Sequence, residues 1–264
     1  MLGSLSAIWR FRYFIVSAIF NEFRSRFIRS RLGGLWMILN PLAQVAIFAF
    51  VLSAVFSSKM GGTDIPHAYP RYLMAGTLVW TLFAEVIIRC LTLFIDNGNL
   101  MKKLAFPRIC LPVIGAGSAL LNNVFLLVAT IIVMGFLGGE PCIADLWLPL
   151  ILVETFLLAL GIGLVLGIFN VFMRDIGQVV PIVLQIMQWL TPIIWTPAMV
   201  PPFLAKWAGI NPMFHLVRAA QSVLLYSEAP HWRGMLVVAG LTLALLGLAL
   251  SLFRRASPDM VDVL

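Results

Sequence analysis

Charge is scarce in this chain: Asp, Glu, Lys and Arg make up 11% of its 264 residues, against 61% hydrophobic residues and a mean hydropathy of +1.01. A soluble domain is roughly half apolar, and no water-soluble fold could hide this much apolar surface. At ~20 residues per membrane crossing, the apolar stretches take up well over half the chain and leave short connections, so a separate soluble catalytic domain has no room. Also missing is the phosphate loop of the Gly-x-x-x-x-Gly-Lys-[Ser/Thr] type; even the dipeptide Gly-Lys does not occur, which excludes that route to ATP hydrolysis. Cys90, Cys110 and Cys142 are odd in number, far apart and at no metal-ligand spacing, so they read as apolar filler and not as a disulfide framework or zinc site. His67, His215 and His231 have no companion ligand at i+4, and no Ser or Cys nucleophile signature is present.

What is present is a set of six apolar segments, near 35–56, 72–95, 109–137, 146–172, 178–195 and 234–253. The fifth contains Pro181 and Pro192 and is expected to be kinked. A net charge of +7 would suggest a nucleic-acid partner in a soluble protein, but in a membrane protein the distribution of Lys and Arg is what counts, and no nucleic-acid partner is expected here. With both termini inside, the cytoplasmic connections hold twelve Lys and Arg residues and the outer ones five, with Arg89 left inside the second segment. The chain is therefore expected to be an all-α membrane protein of six transmembrane helices with both termini cytoplasmic. Arg10 and Arg12 before an apolar Tyr13 to Phe20 superficially resemble a secretory signal, but the following Asn21 to Arg26 is no small-residue cleavage site, and the segment is expected to be retained.

Before the first span, Trp9, Tyr13, Val16, Phe20, Phe23 and Phe27 recur at spacings of three and four, with Arg10, Ser17, Asn21, Arg24 and Arg31 on another face. Residues 1–34 are thus expected to form a cytoplasmic amphipathic interface helix ahead of a transmembrane domain at 35–264. That helix is either a cationic anchor on anionic lipid or a surface that also handles an anionic headgroup. The longest outer connection, about 198–232, interleaves apolar residues with Pro201, Pro202, Gly209 and Pro212, and is expected to re-enter the outer leaflet as short helices packed on protein. An aromatic belt would account for Trp207 and Trp232 equally well.

A charge in hydrocarbon costs about 2.5 to 3.5 kcal/mol on insertion scales, so each one inside a span invites a question. Glu85 and Arg89 stand four apart in the favourable acid-first order and should neutralise each other. Glu154 has no obvious partner and either lines a wet cavity or pairs across helices. In the fifth span Gln178, Gln185 and Gln188 share a face with Trp189 and Pro192 beside them. Amides beside aromatic rings suit sugars, which offer hydroxyls to hydrogen-bond and C–H faces to stack; the same glutamines could instead bond helix to helix. Trp80 and Trp189 lie about midway along their spans, where interfacial anchoring explains them poorly, and with Gln185 and Gln188 they are candidate channel-lining residues.

Several stretches resemble a known family. Arg29 to Trp36 followed by Leu39-Asn40-Pro41-Leu42 is similar to the start of the first span in membrane subunits of ATP-binding-cassette polysaccharide exporters. The run from Asn97 to Arg108 looks like their first cytoplasmic loop. Asn170 to Ile176, Leu190-Thr191-Pro192-Ile193 and Asn211-Pro212-Met213 match later parts in the same order. The mix looks closest to the O-antigen lipopolysaccharide branch, with capsule and teichoic acid exporters related.

The resemblance implies a homodimeric channel in the bacterial inner membrane, with two nucleotide-binding ATPase subunits docked beneath it. ATP and magnesium would sit on those subunits, and no cofactor would be bound by this chain. The cargo would be a glycan on undecaprenyl diphosphate. Asn99, Leu100, Met101, Lys102, Lys103, Phe106 and Pro107, in the loop at about 96–108, would couple to the ATPase, since apolar knobs can insert into a partner groove while lysines steer. Arg24, Arg26, Arg29 and Arg31 would receive the carrier pyrophosphate, because guanidinium groups bind phosphate oxygens bidentately. Two other classes remain. An intramembrane glycosyl or acyl transferase would need an acid or base at a membrane face, for which Glu154 and Glu85 are the candidates. A proton-coupled transporter would want inverted repeats and several buried titratable groups.

Overall fold

A computed structural model describes residues 9–25, 36–47, 67–98, 110–140, 142–196, 208–257 and 259–263. All regular elements among the described residues are helical, as expected from composition: α1 (Arg12–Ser25), α2 (Trp36–Ala46), α3 (Ala68–Asp96), α4 (Cys110–Phe136), a 3-10 turn (Ile143–Trp147), α5 (Leu148–Phe172), α6 (Ile176–Leu190), α7 (Pro212–Tyr226), α8 (Trp232–Ala256) and α9 (Asp259–Val263). Four are long and apolar enough to cross a membrane: α3, α4, α5 with its leading 3-10 turn, and α8. At 1.5 Å per residue the 29-residue α3 is about 44 Å long, more than the ~30 Å hydrocarbon core. The first apolar segment is represented by α2; the rest of it, from residue 48 on, lies outside the described residues.

α3 is the hub. It is buried along nearly its whole length and packs on α4, α5 and α7, and its largest interface is with α5. α8 is the opposite case: only 22% of its most apolar stretch is buried, so its apolar surface faces outward, as hydrocarbon solvent allows.

The α3–α5 contact depends on the small face of α5. A Cβ at Gly167 would collide with the Cys90 carbonyl oxygen, and one at Gly163 would lie 2.8 Å from Cys90 Cβ. The two glycines are four residues apart, so they form one notch in which helix backbones approach without side chains between them. Asn170, one turn on, closes the contact with its Nδ2 donating to Leu91 O at 2.8 Å.

Local contacts also fix helix directions. Gly115 of α4 faces Leu93 of α3, while Leu137, just past the far end of α4, accepts from Arg71 near the start of α3, so the two run antiparallel. α5 runs parallel to α3, because Gly163 meets Ile87 and Gly167 meets Phe94.

The fifth span differs from expectation. Its helix begins at Ile176, contains Pro181, and stops at Leu190, so Pro192 ends it instead of kinking it. Thr191, the residue before that proline, is extended with φ −89° and ψ 138°, the region that a following proline ring enforces. The freed carbonyls of the ensuing turn are capped from α3 and α7: Tyr72 Oη donates to Pro192 O and Trp195 O, both at 2.9 Å, Tyr69 Oη donates to Ile194 O at 2.9 Å, and Gln221 Nε2 donates to Pro192 O at 2.8 Å. Buried backbone polar groups require such partners. α7 begins beside this turn, its Asn211 cap accepting from Met213 N and donating to Thr191 Oγ1, each at 3.0 Å. α7 then runs antiparallel along α3, with Gln221 near Gly76 and Leu224 near Arg71.

Candidate functional site

The middle of α3 opens onto a cavity of about 540 Å³ between α2, α4 and α6, lined by Asn40, Trp80, Thr81, Glu85, Arg89, Asn122, Asn123 and Gln188 with a few aliphatic neighbours. An i, i+4 geometry on α3 puts Glu85 and Arg89 on one face, and the expected pair forms: Arg89 Nε donates to Glu85 Oε1 at 3.0 Å. The other Glu85 oxygen accepts from Asn122 Nδ2 on α4 at 2.7 Å. Arg89 also donates through Nη1 to Glu22 of α1, 67 positions earlier in the chain. One guanidinium thus ties α1, α3 and, through Glu85, α4 into a single network.

Above this network the wall is neutral. Trp80 is 4% exposed, packs on Phe83 with ring centroids 5.6 Å apart, and borders the cavity. Asn123 is buried, donates to Leu78 O at 2.9 Å, and keeps its Oδ1 without a partner among the described residues. With Asn40 and Gln188 the cavity offers amides, a hydroxyl and an indole, and its charges are already engaged with one another.

Of the four proposed channel-lining residues, the structure brings Trp80 and Gln188 together in this cavity. Gln185 and Trp189 are exposed on α6 and do not border it, although the Trp189 carbonyl accepts from Trp195 Nε1 at 2.8 Å. Arg24 is exposed in the last turn of α1. Arg26, Arg29, Arg31 and the whole coupling set Asn99, Leu100, Met101, Lys102, Lys103, Phe106 and Pro107 lie outside the described residues. Glu154 is half-buried, and its Oε1 has no hydrogen-bond partner among the described residues.

α1 docks on α4 by a stripe distinct from the apolar face read from the sequence. Ile15 is 5% exposed, and Ile19 fills the space left by Gly117, where a Cβ would lie 2.5 Å from its Cδ1. Trp9, Tyr13, Val16 and Phe20 instead face away from the protein, with Arg12 stacked 5.0 Å over Trp9 and 4.5 Å over Tyr13. Those four residues are thus exposed, and a second stripe holds the helix to the bundle.

Residues of the site that sequence reasoning missed are Glu22, Asn40, Asn122 and Asn123. The adjacent Asn122-Asn123 inside an otherwise apolar 27-residue helix was a usable signal, because amides in a span seek partners. Glu22 carried none, since its partner is remote in sequence.

The sequence matches the family model described as ABC-2 type transporter over residues 14–225, more than half of the chain. It is 26% identical over 249 residues to an O-antigen export system permease protein RfbA of Klebsiella pneumoniae, covering 92% of each chain. A protein of the same name from Myxococcus xanthus is 23% identical over 265 residues, with 99% of each chain covered. Polysialic acid transport protein KpsM of Escherichia coli is 25% identical over 251 residues, covering 93% of this chain and 95% of its own.

Proposed function

Because this chain belongs to the ABC-2 type transporter family, we propose that it is the membrane permease of a polysaccharide exporter of the O-antigen or capsule kind. Membership of a transporter family removes the ground for the transferase reading, and with it any need for a catalytic acid among Glu85 and Glu154. Two chains pair in the bacterial inner membrane with both termini cytoplasmic, each contributing six spans: the four long helices, the first apolar segment begun by α2, and the shorter α6. The alternating directions of α3, α4 and α5 support that path. The segment ending in α7 re-enters from outside, a reading supported by the start of α7 beside the Thr191 turn and its course along α3.

Two ATPase subunits, carrying ATP and magnesium, drive the pair by pressing on the loop from Asn99 to Pro107. The cargo is a glycan on undecaprenyl diphosphate, whose pyrophosphate is received by Arg24, Arg26, Arg29 and Arg31. The observation that carries the glycan part is the cavity on α3: its Trp80 ring, Asn122, Asn123 and Gln188 amides and internally neutralised charges offer many weak contacts and no deep electrostatic trap. A sliding polymer needs sites that release it as readily as they bind it. The KpsM relative supports the capsule variant, and the glycan released into the periplasm by the intact system separates the two.

The test is thiol labelling in inverted and intact vesicles containing the complete transporter. Cysteine at Gln188 should react with a small water-soluble reagent and slow when lipid-linked glycan is supplied. Cysteine at Gln185, outside the cavity of the isolated subunit, should respond to glycan only if α6 lines the path between two copies. Protection at Gln188 in every state, with export intact, removes the cavity from the translocation route.

A further inference from the structure

Near the start of α3 stands another arginine, this one buried and with no carboxylate paired to it among the described residues. Arg71 is 7% exposed; its Nη2 donates to Leu137 O at 2.7 Å, its Nε is buried without an acceptor, and no ion pair to it forms among the described residues. Arg71 borders a cavity of about 380 Å³ between α3, α4, α5 and α7, within the ~300–1,000 Å³ typical of small-ligand sites. Leu127 and Ile131 of α4 and Leu148 of α5 make the apolar wall, and Glu140 and Asp145 stand at the polar side. The left-handed Gly138, φ 78°, turns the connection over Arg71 and so places Glu140 on the rim. Asp145 commits one oxygen to Cys142 N at 3.0 Å, and Glu140 is exposed.

The cavity is therefore lined by one arginine that carries no ion pair among the described residues, two carboxylates and a hydrocarbon wall. A purely anionic ligand would find Arg71 but meet two acids, and a purely cationic ligand would meet the reverse conflict. A molecule with one phosphate, one primary ammonium and an alkyl tail satisfies all three parts. We propose that this cavity binds a phospholipid with a phosphoethanolamine headgroup. The phosphate lies on the free edge of Arg71, the ammonium donates to Glu140 and Asp145, and one acyl chain runs along Leu127 and Ile131. A choline headgroup has no N–H to give the carboxylates and is the poorer fit.

The proposal is independent of what the transporter carries, because its readout is retained lipid. The complete transporter is purified in detergent with equal amounts of phosphatidylethanolamine and phosphatidylglycerol, and tightly held lipid is identified by native mass spectrometry. The wild type should retain phosphatidylethanolamine in about tenfold excess. Glu140→Gln should bring the two lipids to near parity, and Arg71→Gln should lose both. Ile131→Trp fills the apolar wall from a half-exposed position and leaves the charges untouched, so it should lose retained lipid even if Arg71→Gln fails to fold. Equal retention of the two lipids by the wild type overturns the proposal. So does an unchanged preference in both Glu140→Gln and Ile131→Trp, or a preference for phosphatidylglycerol.

Discussion

Arg71 and Arg89 occupy the same helix, 18 residues or about 27 Å apart, and are satisfied in opposite ways. Arg89 is gripped by Glu22 and Glu85, and the spare Glu85 oxygen is itself held by Asn122. Arg71 has one backbone carbonyl and an idle Nε. A buried charge is tolerated only when paired or hydrogen-bonded. Saturation makes Arg89 a joint that fastens α1 to α3, whereas incomplete saturation makes Arg71 a residue with capacity left for a ligand. Burial alone therefore does not distinguish a structural charge from a binding one; the count of partners does.

The comparison breaks most severely at the saturated end. Arg89→Leu takes from Glu22 and Glu85 the guanidinium they share, and removing one partner of a buried ion pair typically costs about 3–5 kcal/mol. Glu22 is 37% exposed and contributes little of this, so the lower end of that range is expected. Thermal unfolding of the detergent-solubilised protein should show the loss, and Glu85→Gln in the same chain should recover most of it. A variant as stable as the wild type would mean that the network does not hold the bundle.

The Glu85–Arg89 half of this joint was readable from the sequence, because an i, i+4 pair on a helix is a local event. The long helices were readable for a similar reason: hydropathy over ~20 residues needs no tertiary knowledge. What escaped was whatever depended on which helices meet. Gly163 and Gly167, a small-residue pair four apart in a span, are a packing signal that does not say which helix they meet. The apolar run of span five continues past Pro192 to Trp195 and gives no local sign of a stop, and only Tyr69, Tyr72 and Gln221, arriving from other helices, make a turn tolerable in that buried place. The motifs that carried the family resemblance became intelligible as joints: Asn170 holds α5 to α3, and Asn211 ties the head of α7 to Thr191.

A milder perturbation belongs to the Arg71 end. Tyr72→Phe deletes one hydroxyl that serves Pro192 O and Trp195 O, while Gln221 still serves the first of these. The unfolding free energy should fall by about 1–2 kcal/mol, the cost of leaving a carbonyl short of a donor. Because Arg71 points to a different group, Leu137 O, lipid retention should be unchanged. A change in retained lipid would merge what the structure keeps as two separate sets of contacts.

The smallest effect is expected from Glu22→Gln. This substitution keeps the shape and a hydrogen-bond acceptor, and exposed ion pairs are worth only about 0.2–1 kcal/mol, so global stability should barely move. Its consequence is sharper in the docking of α1. A cysteine pair made by Ile19→Cys and Gly117→Cys, which adjoin in the structure, reports that docking by its rate of disulfide formation. With Glu22 present, raising ionic strength from about 0.01 M to about 0.1 M shrinks the screening length from about 30 Å to about 10 Å and should slow cross-linking. In the Glu22→Gln protein the rate should no longer depend on salt, because the remaining hold on the helix is apolar, led by the buried Ile15. If both proteins show the same salt dependence, some charge other than Glu22 fastens the interface helix, and Arg89 loses its role as the joint between α1 and α3.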